Sequence, residues 1–130
     1  MVKKKDRILV VGGTGFIGYH LAKKCLEKGW EVTSISLNPA KKIRYLPKVK
    51  YIFCDITKKK SLKKNITKHF DYVVNLGGYV DHSNTKKVLK SHYEGCKNLT
   101  EIFLKEIPLS FIQIGSSLEY GNSKSPNIES

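Results

Sequence analysis

The chain has 130 residues, of which 40% are hydrophobic, and 24 Lys and Arg against 11 Asp and Glu give a net charge of +13. This size and apolar content indicate one globular domain with its own core. The lysines are scattered and no RNA- or DNA-binding motif accompanies them, so we expect no nucleic-acid partner; the alternative is a duplex-binding surface with steep salt dependence. No apolar run approaches the ~20 residues that cross a bilayer, so we expect a cytoplasmic protein without a membrane partner. The cysteines lack C-x-x-C spacing, so we expect no metal site.

The first predicted strand covers residues 8–11 and runs directly into a glycine-rich turn. An amphipathic helix is predicted from Phe16 onwards. Gly12, Gly15 and Gly18 form a G-x-x-G-x-x-G variant of the dinucleotide fingerprint. In that fingerprint, backbone N–H groups at a helix N-terminus bind a pyrophosphate, and a Cβ would hold the phosphates away. The alternative is an ordinary glycine turn between a strand and a helix.

The remaining elements alternate between strands and helices. Further strands are predicted over residues 31–37, 49–53, 71–76 and 109–114, and further helices over 61–70 and 85–105. This alternation predicts an α/β fold: a Rossmann-type, doubly wound parallel sheet of order 3-2-1-4-5 with helices on both faces. A ligand crevice is then expected at the carboxyl ends of the strands, where strands 1 and 4 diverge.

The spelling GGTGFIG at residues 12–18 resembles the cofactor loop of the extended short-chain dehydrogenase/reductase family. That family contains nucleotide-sugar epimerases, dehydratases and reductases. The resemblance implies NAD or NADP as the cofactor, a nucleotide-sugar as the substrate, and hydride transfer between a sugar carbon and the nicotinamide. Thr14 is interpreted as a phosphate donor or, equally, as a helix cap. The implied cofactor-binding residues of this loop are Gly12, Thr14, Gly15, Phe16, Ile17 and Gly18.

The end of the second strand favours NADP over NAD. An NAD-specific enzyme usually carries Asp or Glu there to bind the adenine ribose, and this chain has Ser36. The following loop instead offers Lys41, Lys42 and Arg44, which suit a 2′-phosphate. A solvated basic loop is the alternative interpretation.

Two further strand ends match the family pattern. Asp55 and Ile56 correspond to its Asp and apolar pair, which implies contacts with the adenine; taken alone, such an Asp is more often a cap or turn residue. Leu76, Gly77 and Gly78 resemble its apolar-Ala-Gly segment, which implies a place beside the nicotinamide ribose and pyrophosphate. Gly77 replaces the usual alanine and still permits close backbone approach.

The long predicted helix carries HYEGC at residues 92–96, which resembles the family's Asn-x-x-Gly-Thr. The usual asparagine is His92 here, which is a departure from the pattern. Family members commonly dimerise through this helix, so the resemblance implies a homodimer through residues 85–105. The alternative is that its apolar stripe only packs on the sheet.

The segment SSLEYG at residues 116–121 looks like the family's Ser-Ser-x-x-Tyr-Gly. The resemblance implies that Ser116 is catalytic and hydrogen-bonds the reacting oxygen of the substrate. Leu118 stands where dehydratases carry an acidic residue, which favours epimerase or reductase chemistry.

The family's Tyr-x-x-x-Lys helix would follow this segment. We therefore expect residues 1–130 to form a truncated NAD(P)-binding domain that lacks that helix and the substrate domain, and that has little or no turnover by itself. A non-catalytic dinucleotide-binding or redox-sensing module is the alternative function.

Overall fold

The computed structural model describes residues 3–78, 83–116 and 121–122. Its strands are β1 (Arg7–Val11), β2 (Glu31–Ser36), β3 (Lys50–Phe53), β4 (Tyr72–Asn75) and β5 (Ser110–Gln113). Its helices are α1 (Phe16–Glu27), α2 (Lys59–Asn65), α3 (Thr85–Leu89) and α4 (Gly95–Phe103). A π-helical turn (Lys90–Glu94) joins α3 to α4, and a 3₁₀ turn (Lys42–Arg44) follows β2. Within these described ranges, no helix has the length and apolar character needed to cross a membrane.

The five strands form one parallel sheet of order β3-β2-β1-β4-β5. Strand β1 lies at the centre, where Ile8 pairs with Val32 of β2 and with Tyr72 of β4. This confirms the predicted fold class and strand order. The order reverses between β1 and β4, so the crevice typical of such sheets lies at the carboxyl ends of these two strands.

The apolar run of β1 is buried on both faces of the sheet, because successive side chains point to opposite sides. Leu9 and Val11 face the layer of α2 and α4, whereas Ile8 and Val10 face α1. The helical side chains that complete the two layers are Leu62, Leu99 and Phe103 on one face and Ala22 and Cys25 on the other. The glycine loop that follows β1 is therefore held by a strand packed on both sides.

Helix α2 is shorter than its apolar spacing predicts. It ends at Asn65, whose side-chain Nδ2 donates to the carbonyl of Ser61 at 2.8 Å. Asn side chains compete with the backbone in this way, and the β-branched Ile66 that follows disfavours another turn. Ile66 and Phe70 still pack in the core from an irregular segment.

The predicted helix over 85–105 is observed as α3, the π-helical turn and α4 in direct succession. The π-helical turn adds a residue to the local repeat, which apolar spacing did not predict. As a result, Leu99 and Phe103 face the sheet, while Leu89 and Tyr93 are 65% and 63% exposed.

Asp71, which precedes β4, forms hydrogen bonds with residues at the amino ends of β1 and β5. Its carboxylate accepts from the Arg7 backbone N–H at 2.8 Å, and its own N–H donates to the Arg7 carbonyl at 2.9 Å. The N–H of Leu109 donates to the Asp71 carbonyl at 2.8 Å. The Arg7 N–H holds the pKa of the Asp71 carboxyl below its usual value, and the neighbouring Lys4 and His69 add to this.

Asp71→Asn is expected to lower the free energy of unfolding at pH 7 by about 1–3 kcal/mol, because the part-buried Arg7 N–H loses a charged acceptor. The folded-state pKa of Asp71 is depressed, so its stabilisation exists above the unfolded pKa and is lost as the pH falls through the folded pKa. The variant should therefore lose less stability than wild type below about pH 4. Urea unfolding by far-UV circular dichroism at several pH values measures both effects.

Glu101→Gln is the matched control for Asp71→Asn. In the wild type, a hydrogen bond from Lys59 is the main cause that lowers the pKa of the Glu101 carboxyl, but the Lys59–Glu101 ion pair is on the surface. Exposed pairs contribute little to stability, so we expect no measurable change. Equal acid profiles for Asp71→Asn and wild type would contradict the role given to Asp71.

Candidate functional site

The loop between β1 and α1 packs so closely on itself and on the end of β4 that a side chain would not fit at Gly12 or at Gly18. Gly12 has φ +83°, its N–H donates to the Ile35 carbonyl at 2.8 Å, and Gly15 N–H donates to the Gly12 carbonyl at 3.1 Å. A Cβ on Gly12 would lie 3.0 Å from the carbonyl carbon of Leu76, and a Cβ on Gly18 would lie 2.3 Å from the Gly12 oxygen. The loop thus leaves a bare backbone surface at the start of α1.

Two serines of β2, Ser34 and Ser36, contact this loop. A Cβ on Gly13 would lie 2.3 Å from the Ser34 hydroxyl oxygen, so glycine is required there as well. The Ser34 hydroxyl is 3.4 Å from that of Ser36, which accepts from the Thr14 backbone N–H at 3.3 Å. The roles of Gly13 and Ser34 were missed from the sequence; the Gly-Gly pair and the i, i+2 serines were the available signal.

The N-terminus of α1 has no side-chain cap. Gly15 occupies the N-cap position and supplies no side-chain hydrogen bond to the helix. Thr14 therefore does not cap the helix. Phe16 and Ile17 of that turn are exposed. Uncapped N–H groups at a helix N-terminus favour a bound anion, which fits a diphosphate in this position.

The basic loop after β2 brings Arg44 towards the glycine loop. The guanidinium carbon of Arg44 lies 5.8 Å from the centre of the Phe16 ring, within the range of a cation–π contact. Lys41 is exposed at the start of the 3₁₀ turn, and its carbonyl accepts from the Arg44 N–H at 2.8 Å. Ser36, at the end of β2, uses its hydroxyl to hold Thr14. The cation packed against α1 is therefore Arg44.

Beyond β3, Asp55 forms a turn and Ile56 is buried. The Asp55 Oδ1 accepts from Thr57, at 2.9 Å from the backbone N–H and 2.7 Å from the hydroxyl. The side chain of Asn98 on α4 donates to the Ile56 carbonyl at 2.9 Å. A Cβ on Gly95 would lie 2.5 Å from the Ile56 Cδ1, so α4 packs closely on this strand end. Sequence reasoning did not identify Asn98, since its partner lies 42 residues away.

The end of β4 lies directly beside the glycine loop. Leu76 N–H donates to the Val11 carbonyl at 2.9 Å, and Gly77 N–H donates to the Asn75 side-chain oxygen at 3.0 Å. The Asn75 Nδ2 in turn donates to Gln113 Oε1 on β5 at 2.7 Å. A Cβ on Gly77 would lie 2.9 Å from Val11 Cγ1, which accounts for glycine at this position. Asn75 is a buried polar residue whose role was missed from the sequence.

Gly78 contacts the long helix, and Ser116 lies just beyond β5. The imidazole ring of His92 covers Gly78, with its Cε1 2.2 Å from where a Cβ would stand. Ser116 is exposed. Residues 117–120 of its predicted segment, which include Leu118 and Tyr120, lie outside the described residues.

Two hollows lie at the amino ends of the strands, away from the glycine loop. One of about 910 Å³ separates the C-terminal ends of α2 and α4. The other, of about 300 Å³, is next to Trp30, whose ring stacks on Tyr72 with centroids 4.7 Å apart. Parallel α/β sheets bind ligands at the carboxyl ends of their strands, so we assign neither hollow to the cofactor.

Comparisons with known proteins agree with this geometry. The model of the NAD-dependent epimerase/dehydratase family matches residues 8–130. A bifunctional UDP-glucose 4-epimerase and UDP-xylose 4-epimerase of Pisum sativum is 27% identical, covering 99% of this chain and 42% of that protein. A UDP-N-acetyl-alpha-D-glucosaminuronate decarboxylase of Bacillus cytotoxicus is also 27% identical, covering 78% of this chain and 34% of that protein. A solved epimerase of Methanothermobacter thermautotrophicus has a TM-score of 0.85 at 22% identity, covering 95% of this chain and 40% of that chain.

The parallel sheet with a glycine loop at its switch point defines a Rossmann-fold domain. The chain belongs to the NAD-dependent epimerase/dehydratase family. This confirms the resemblance to extended short-chain dehydrogenases/reductases. The chain spans less than half of the length of each of these relatives.

Proposed function

We propose that this chain is the NAD(P)-binding portion of a nucleotide-sugar epimerase or reductase. The observation that carries the proposal is the bare cradle at Gly12 and Gly18, which lies against the end of β4 and opens at the uncapped N-terminus of α1. Such a surface suits a diphosphate, because the backbone can approach it closely and the helix end favours negative charge. The family match supports the class of reaction, and the names of the two relatives support a nucleotide-sugar as the class of substrate.

Each strand end has one role in this proposal. The glycine loop binds the pyrophosphate, Asp55 and Ile56 contact the adenine, and the backbone of residues 76–78 lines the nicotinamide ribose. Ser116 hydrogen-bonds the reacting oxygen of the sugar and so helps to hold its proton. When bound, the nicotinamide supplies a hydride acceptor and donor. The contribution of the chain is to fix the dinucleotide and to orient the substrate oxygen beside it.

NADP is the proposed preference of the site. The end of β2 carries Ser36, which has no charge and holds Thr14, whereas Arg44 packs against Phe16 at the start of α1. A guanidinium can bind a phosphate with two parallel hydrogen bonds. The adenine ribose of a dinucleotide bound at this loop would present its 2′ position to the same region. Lys41, at the start of the same turn, adds positive charge.

Arg44→Ala is expected to weaken NADP⁺ binding about tenfold, roughly 1.4 kcal/mol, and to change NAD⁺ binding little. Isothermal titration calorimetry of the purified chain with both dinucleotides measures the two dissociation constants. Lys23→Ala, an exposed cation elsewhere on α1, is the control and should alter neither constant. Tighter binding of NAD⁺ than of NADP⁺ by wild type would contradict the preference, and no binding of either would contradict the proposed function.

Turnover separates the enzyme from a non-catalytic module. In an enzyme that contains this chain, reduction of the nicotinamide by a nucleotide-sugar changes its absorbance. The 130-residue chain is expected to bind the dinucleotide without this change. Robust turnover by the chain alone would show that its own residues complete the active site.

We also propose a homodimer through the long helix. Leu89 and Tyr93 are about one helical turn apart and both are exposed, while Leu99 and Phe103 pack on the sheet. Two such faces can cover each other. Sedimentation equilibrium of the purified chain tests this assembly.

A further inference from the structure

We infer that His92 is a positioning residue for the nicotinamide half of the dinucleotide, acting through the backbone of Gly78. The inference rests on the proposed function, because it assigns the end of β4 to that half of the ligand. It adds a residue at which this chain departs from the family pattern. It also predicts which half of the ligand depends on that residue.

The imidazole of His92 lies against Gly78 in place of a side chain. A Cβ on Gly78 would be 2.2 Å from Cε1, 2.6 Å from Nε2 and 2.8 Å from Nδ1 of the ring. Three ring atoms at such similar distances mean that the ring presents its face to the glycine. A Cβ at position 78 would displace the ring from this place. In our inference, the ring packed on Gly78 restricts where the backbone of residue 78 can lie.

His92 is carried by a helix that is anchored elsewhere. It lies in the π-helical turn, and α4 begins immediately after that turn. Gly95 and Asn98 then dock α4 on Ile56, by close packing and by a 2.9 Å hydrogen bond. Leu99 is fully buried in the core beneath them. This anchored helix places the His92 ring beside the end of β4.

The same helix thus contacts two strand ends with different residues. Gly95 and Asn98 are buried on the side of α4 that faces the sheet, and the exposed His92 reaches Gly78 from the preceding π-helical turn. Gly95 and Asn98 contact the end of β3, which we assign to the adenine, and His92 contacts the end of β4, which we assign to the nicotinamide ribose. Removing the ring should therefore affect one half of the ligand and leave the other unchanged.

His92→Ala is the test variant, titrated calorimetrically with NAD⁺, NADP⁺, ADP and 2′,5′-ADP. We expect dinucleotide binding to weaken about three- to tenfold, in the range typical of couplings between contacting residues. The affinities for ADP and 2′,5′-ADP, which lack the nicotinamide, should be unchanged. His92→Phe keeps a flat ring and is expected to restore dinucleotide binding. Lys90→Ala, an exposed residue of the same turn, is the matched control.

The outcomes separate this inference from the proposed function. Equal weakening of dinucleotide and ADP would mean that His92 only stabilises the fold, and unchanged dinucleotide binding would mean that it does not position the ligand; either overturns the inference. Failure of His92→Phe to restore binding would also count against ring packing as the cause. Wild type that binds neither dinucleotide would overturn the proposed function itself.

Discussion

Gly18→Ala is expected to weaken the binding of NAD⁺ and NADP⁺ about 100-fold, equivalent to roughly 2.7 kcal/mol. The added Cβ would lie 2.3 Å from the Gly12 oxygen and 2.6 Å from the Gly13 Cα. Both neighbours are backbone atoms, so no side-chain rotation relieves the contact, and the loop must open. An opened loop no longer presents its N–H groups together to the diphosphate. Calorimetric titration gives the dissociation constants, and far-UV circular dichroism checks the fold.

Gly29→Ala is the control for adding a methyl group to a glycine outside the cradle. Gly29 has φ +80°, and among the described residues no atom beyond its chain neighbours lies within 4 Å of its Cβ position. Alanine there should cost about 1–2 kcal/mol of stability through the left-handed backbone alone. Dinucleotide binding should stay at the wild-type level. Wild-type affinity in Gly18→Ala would show that the diphosphate does not bind at this loop.

Leu99→Ala is expected to lower the free energy of unfolding by about 3–5 kcal/mol, a large part of the total of a domain of this size. Leu99 is 0% exposed and belongs to the same core cluster as Leu9, Ile56 and Phe70. The cavity left by alanine would lie between α4 and the centre of the sheet. Urea unfolding followed by far-UV circular dichroism measures the change.

Leu104→Ala provides the matched comparison, since Leu104 directly follows α4 and is 65% exposed. The same atoms are removed, but little apolar surface returns to water, so we expect a change within about 0.5 kcal/mol. A similar loss of stability in both variants would contradict the placement of Leu99 in the core. In that case the helix would pack on the sheet through another face.

The strand order and the location of the glycine loop were predictable from the sequence, because they depend on local patterns. The run at residues 8–11 is apolar at every position, as expected for a parallel strand buried on both faces. Gly12, Gly15 and Gly18 have the spacing of a tight turn entering a helix. Alternation of strands and helices then leaves few topologies.

The contacts that hold the site in place were not predictable, because they depend on which strands become neighbours. Ser34 meets Gly13 only after β2 has paired with β1, and Asn75 reaches Gln113 only across β4 and β5. Asn98 caps a strand end that is distant in the chain. The π-helical turn was likewise not predictable, since apolar spacing alone fits a continuous α-helix.

The stacked pair of Trp30 and Tyr72 has a practical consequence for the study of this protein. Trp30 is the only tryptophan of the chain, and it lies at the end of the sheet opposite the glycine loop. Its intrinsic fluorescence will report separation of the two rings, and hence loss of the native sheet. Oxidised dinucleotide at the far edge, which does not absorb at the emission wavelengths of tryptophan, will leave that emission nearly unchanged, so folding and occupancy can be followed independently in one sample.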